Sequence, residues 1–96
     1  MKKYQFKLID STYAPQHART VLLSLIEDKI KFLNHQIFSI SERFGSNTEH
    51  LENRIRELRE ERSRLIDLLN GYREQADLIE ISCSVDMKIH VSEPVV

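Results

Sequence analysis

Tryptophan is absent from this sequence, cysteine occurs once, and glycine and proline occur only twice each in 96 residues. So few turn formers exclude a turn-rich β-sandwich, a collagen-like repeat or a flexible linker. Cys83 has no internal disulfide partner, which points to a reducing compartment and hence to the cytoplasm. An excess of one charge is missing too: 14 Lys and Arg face 15 Asp and Glu, for a net charge of −1. A polyanion-binding domain carries a clear basic excess, so nucleic acid and anionic membrane lose weight as partners. No apolar run approaches the roughly 20 residues a membrane helix needs. The opening residues Met1 to Lys7 are charged without an apolar stretch, so no signal peptide is expected. With two glycines in all, there is little from which to build a phosphate-cradling loop.

What is present suits one folded, helix-rich domain, 1–96: 41% of residues are apolar and 30% charged. Residues 3–9 alternate, with Tyr4, Phe6 and Leu8 on one side and Lys3, Gln5 and Lys7 on the other. That period of two predicts a half-buried strand, and Ile9 breaks its polar side. Asp10, Ser11 and Thr12 supply turn and capping chemistry, and Pro15 suits a first helical turn. Over 15–44 the period becomes helical, with Leu23, Ile26, Ile30, Leu33, Ile37, Ile40 and Phe44 forming an unbroken apolar seam. Gly45 and Ser46 then mark a tight reversal, with Ser46 and Glu49 spaced as a capping box.

A second helix is expected over 47–76, its seam running Leu51, Ile55, Leu58, Arg62, Leu65, Leu69, Tyr72 and Ala76. Gly71 inside that pattern weakens it by about 1 kcal/mol relative to alanine, marking an early end, a kink or a close contact. Glu52–Arg56 and Glu60–Arg64 have the spacing of favourable i,i+4 pairs. Over 79–91, Ile79, Ile81, Cys83, Val85, Met87, Ile89 and Val91 alternate with polar residues, predicting a single long strand that Pro94 ends.

The expected fold class is therefore α+β in the order β-α-α-β. A long, coiled-coil-like antiparallel helical hairpin turns at Gly45-Ser46, and the two terminal strands pair antiparallel along it. Helices of about 30 residues are ~45 Å long, close to the ~43 Å of a strand spanning 79–91. A first strand of 3–9 can pair with only half of that, over Ile79 to Val85. The half from Met87 to Val91 is left to a second copy, because a bare strand edge recruits another chain. Val21, Leu22, Leu25 and Phe32 on the first helix, with Ile66 and Leu68 on the second, add apolar surface toward the base of the hairpin. A homodimer or a dimer of dimers is expected, with Leu25, Phe32, Arg62, Met87, Ile89 and Val91 as interface residues.

Residues able to carry catalysis are scattered. His17, His35, His50 and His90 fall on four separate elements without metal-ligand spacing, and Cys83 lies on the apolar side of its strand as a small hydrophobe. No catalytic, cofactor-binding or metal-ligating residue is expected, nor any cofactor, and an enzyme is the weakest class. The stretch from Glu52 to Arg64 holds five arginines against four glutamates, netting +1, which describes a self-paired solvated face. Arg62 alone enters the seam, opposite about Leu33. Its stem packs while the guanidinium reaches a rim glutamate, or it sets register against another protomer.

A strand followed by two helices, with Lys3, Gln5 and Lys7 projecting from one side, resembles the ribbon-helix-helix repressors. The resemblance covers 2–9 and the element order; the helices here are about twice as long, and a fourth element follows. It implies a dimeric strand pair reading the DNA major groove with Lys3, Gln5 and Lys7. The expected role is otherwise a non-catalytic scaffold, adaptor or regulatory module whose partners are itself and another protein.

Overall fold

The computed structural model describes residues 1–44, 47–72, 75 and 78–92, with the side chains of 42–44 excepted. Four elements follow one another: β1 (Lys2–Tyr13), α1 (Pro15–Phe44), α2 (Glu49–Gly71) and β2 (Ile79–Ile89). The fold is α+β, a two-helix hairpin with one two-stranded antiparallel sheet made from both ends of the chain.

The helical seam forms as its spacing dictates. Leu33 and Ile55 are buried, and Leu23, Ile26, Ile30, Ile37, Ile40, Leu51, Leu58, Leu65 and Leu69 are half-buried around them. Cross-helix bonds fix the antiparallel sense: Arg19 near the start of α1 donates to Asn70 Oδ1 near the end of α2 at 3.1 Å, and Arg62 reaches Glu27. α1 begins at Pro15 as expected, its first turn closing when the amides of His17 and Ala18 donate to the Ala14 carbonyl. α2 is shorter than the expected 47–76. Asn47 Oδ1 accepts from the Glu49 amide at 2.9 Å, and the Thr48 carbonyl accepts from Leu51 and Glu52, so Thr48 is the N-cap. Gly45, Ser46, Ala76 and Pro94 lie outside the described residues, and with them the tight reversal, the Ser46–Glu49 capping box and the strand stop. At the other end Gly71 is the last helical residue, and a Cβ there would meet nothing within 4 Å. Gly71 thus marks the early end, and no close contact requires it.

β1 runs four residues further than the expected 3–9 at its end. Asp10, Ser11 and Thr12 continue the strand instead of turning, because each finds a cross-strand place: Asp10 opposite Ser82, Ser11 opposite Ile81, Thr12 opposite Glu80. β2 stops at Ile89, short of the expected 91. The two strands pair over the whole of β2, from Lys2 opposite Ile89 to Tyr13 opposite Ile79. Met87 to Ile89 are therefore not left without a partner in their own chain, as the shorter first strand implied, and Val91 lies past the end of the ladder.

The register slips once. Lys7 lies opposite Ser84 and Ile9 opposite Cys83, so Leu8 is an extra residue, a β-bulge. An extra residue reverses the alternation of everything beyond it. Tyr4 and Phe6 before the bulge, and Ile9 and Tyr13 after it, consequently share one face with Ile79, Ile81, Cys83, Val85, Met87 and Ile89. The Ile9 that broke the sequence pattern is the mark of that slip.

The sheet does not lie along the hairpin. Among the described residues α1 meets both strands and α2 meets neither. The Cα trace measures 61 × 31 × 14 Å, longer than either the helices or the sheet alone. Burial shows where they join: Ala18 and Ile81 are buried, and Ile9, Tyr13, Ile79, Cys83 and Val85 are half-buried. The core is small. Ala18, Leu33, Ile55 and Ile81 are its buried apolar residues, and no large side chain is fully enclosed among the described residues.

Candidate functional site

The apolar face of the sheet is covered at one end only. Beyond Val85 it opens: Tyr4 is 56% exposed, Phe6 38%, and Met87 and Ile89 42% each. Register brings these four side chains together, Tyr4 directly opposite Met87 and Phe6 opposite Val85. The rings of Tyr4 and Phe6 touch at 5.8 Å between centroids with a 46° tilt, so the patch is a packed cluster. An aromatic–aliphatic row of this kind normally faces a core, and here nothing among the described residues encloses it.

The opposite face is polar and charge-balanced. Lys3 lies opposite Lys88, Gln5 opposite Asp86, and Lys7 opposite Ser84, while Asp10, Thr12 and Glu80 continue the row. Lys7 Nζ approaches Asp10 Oδ2 at 3.4 Å across the bulge. Lys3, Gln5 and Lys7 are therefore gathered on one surface as expected, but as neighbours of Asp86, Asp10 and Glu80. The strand ribbon that a ribbon-helix-helix dimer makes between chains is formed here within one chain.

The expected interface residues separate into three groups. Met87 and Ile89 belong to the open patch, and Val91 follows it, 78% exposed past the end of β2. Leu25 and Phe32 are exposed on α1, where Lys29 Nζ sits 5.1 Å from the centre of the Phe32 ring. Arg62 lies elsewhere. Its Nε and Nη2 both donate to Glu27 Oε1, at 3.1 and 3.0 Å, within the hairpin. The guanidinium thus reaches a rim glutamate, one of the two readings of the sequence, and that glutamate lies closer to the hairpin base than Leu33. Both side chains are well exposed, 40% and 53%, so the pair contributes at most about 1 kcal/mol. Arg62→Leu is expected to hold or slightly raise the melting temperature and leave the native mass unchanged, as differential scanning calorimetry and sedimentation would show.

Two shallow grooves flank the helical seam. One of about 340 Å³ is lined by Asn34, Ile37, Glu52, Ile55, Arg56 and Arg59; the other, of about 400 Å³, by Glu27, Ile30, Arg59, Arg62 and Ser63. Of the other four arginines of α2, two are paired with glutamates, by i,i+3 contacts in place of the expected i,i+4 ones: Arg54 with Glu57 at 2.8 Å and Arg64 with Glu61 at 2.7 Å, while Arg56 donates to Asn53 Oδ1 at 3.1 Å. The hydrogen bond from Arg64 to Glu61 raises the Arg64 pKa above its ordinary value. All four histidines are exposed, and no group of three or more metal-ligating side chains occurs among the described residues. Nor, among the described residues, is any helix long and apolar enough to cross a membrane.

No family model, curated protein or solved structure matches the chain. Met87 and Ile89 were expected at an interface through an unpaired strand end; they lie in the exposed patch although both are paired within the chain, and Tyr4 and Phe6 beside them were not expected there. The signal was available in Ile9, whose misplaced apolar side chain betrays the bulge that aligns both ends of β1.

Proposed function

We propose that this protein is a non-catalytic structural module that works as a homo-oligomer, a scaffold or adaptor assembled by strand pairing and helix packing. One observation carries the reading. The chain exposes 8060 Å², whereas a compact monomer of its 11.3 kDa exposes roughly 5700 Å². Its radius of gyration is 17.9 Å, against about 12.5 Å for a compact domain of this length. The surplus, on the order of 2300 Å², exceeds the roughly 800 Å² each partner buries in a standard interface. Its position agrees: the open aromatic–aliphatic patch of Tyr4, Phe6, Met87 and Ile89, and the exposed Leu25 and Phe32 of α1.

On this reading the protein serves in a reducing compartment such as the cytoplasm. The outer faces of the helices stay free for a second protein once the copies have joined. Sedimentation equilibrium at micromolar concentration is expected to return a dimer or tetramer mass; a folded monomer overturns the proposal. The rival reading, a DNA-binding regulator using Lys3, Gln5 and Lys7, predicts salt-dependent duplex binding that weakens on Lys3→Ala with Lys7→Ala. The charge balance of the polar face favours the first reading, for which mixed-sequence duplex at low salt leaves the sedimentation profile unchanged.

A further inference from the structure

The two edges of the sheet differ in a way that selects one of them for assembly. The outer edge of β1 carries Lys2, Lys3 and Lys7 and is kinked by the bulge at Leu8. Lysines and bulges are the devices that keep an edge from pairing with another chain. β2 has neither kink nor proline between Ile79 and Ile89, and it carries one lysine against three on β1: Glu80 stands near one end, with Asp86 and Lys88 near the other.

We infer, resting on the homo-oligomeric reading above, that two copies join along the outer edges of β2, antiparallel about a two-fold axis at Ser84. The product is one four-stranded sheet in the order β1-β2-β2-β1. Full overlap of the strands sets Ile79 of one copy opposite Ile89 of the other, Ile81 opposite Met87, and Cys83 opposite Val85. On the polar face the same register sets Glu80 opposite Lys88, Ser82 opposite Asp86, and Ser84 opposite itself. Every apolar residue meets an apolar one, and the charged pair at each end is complementary.

Neighbouring registers are worse. A slip of one residue sets the apolar row against the polar row. A slip of two in one direction puts Glu80 opposite Asp86, a like-charge pair. The same slip in the other direction shortens the ladder and takes Lys88 away from Glu80. Within one chain Lys88 already stands opposite Lys3, an unfavourable pairing that a glutamate on its other side relieves.

This arrangement also accounts for the half-covered sheet. A two-fold axis normal to the sheet keeps both apolar faces on the same side. It places the open end of each copy, Met87 and Ile89, beside the better-buried end of the other copy, Ile81 and Ile79. Each hairpin thus stands next to the surface its partner cannot cover.

Register is testable with single cysteines in a Cys83→Ser background. Ser84→Cys is expected to give a covalent dimer on mild copper-phenanthroline oxidation, since opposed residues in an antiparallel pair have Cα atoms about 4.5–5.5 Å apart. Ser82→Cys, set roughly 14 Å from its symmetry mate in this register, is expected to stay monomeric on denaturing gels. In sedimentation, Glu80→Lys should weaken the dimer roughly tenfold, because two symmetric pairs turn repulsive, and adding Lys88→Glu should restore it to within about threefold. A dimer that cross-links at Ser82→Cys and not at Ser84→Cys, or that ignores the charge exchange, overturns the β2 register while leaving the homo-oligomeric reading intact. A monomer at every concentration overturns both.

Discussion

Leu33→Ala is expected to lower the stability of the protein by about 3 kcal/mol, and its melting temperature by roughly 12–20 °C. Leu33 is 4% exposed at the middle of the helical seam, and Ile55, the corresponding buried residue of α2, is 5% exposed. Truncation removes three carbons from a site whose neighbours belong to two long helices and cannot collapse inward, so the transfer loss adds to that of a cavity. The same substitution in a larger protein would be absorbed. Here, among the described residues, the buried apolar side chains are Ala18, Leu33, Ile55 and Ile81, and a chain of this size has about 5–14 kcal/mol in total. Thermal unfolding followed by circular dichroism at 222 nm measures the effect, with Leu33→Met as the volume-conserving control expected to cost under about 1.5 kcal/mol. A loss below about 1 kcal/mol for the alanine variant would mean that the seam is not what holds the hairpin together.

Phe6→Ser combined with Met87→Ser is expected to weaken self-association about a thousandfold while preserving the helical signal. Both residues sit on the open half of the apolar face, 38% and 42% exposed, and α2 meets neither strand among the described residues. In a dimer the pair of changes removes four apolar side chains from the contact, each already part-buried within its own chain and worth about 1 kcal/mol on completing burial. Together they amount to roughly 4 kcal/mol, close to three decades in the dissociation constant. Sedimentation velocity across a concentration series checks the shift, and the far-ultraviolet spectrum reports whether the hairpin survives. If association is unchanged, the exposed patch is not the contact surface, and Leu25 and Phe32 of α1 become the residues to alter.

The helical hairpin was legible because its signal is local and repeated. Leu23 through Phe44 return every three or four residues without exception, and that spacing alone places the seam. β2 was legible for the same reason with a period of two. The junctions were not. Asp10, Ser11 and Thr12 are turn formers by composition, yet each is held in the ladder by a partner some 70 residues away, and no local pattern announces that. Gly71 offered several meanings that only the ending of α2 could separate. The angle between sheet and hairpin depends on how few side chains bridge them, a balance of small contacts that periodicity does not encode. Within the candidate site, Met87 and Ile89 stood out by alternation. Tyr4 and Phe6 joined them only through the shift of phase at Leu8.

That shift carries a consequence for how the sequence of this protein can vary. What Leu8 supplies is a count, one residue more on one strand than on the other, and its own exposed side chain contributes little. Many residues can occupy the position, but its removal would turn Lys3, Gln5 and Lys7 onto the greasy side of the ribbon and send Tyr4 and Phe6 to the wet one. At this point in the chain the spacing between residues is under tighter constraint than their identity.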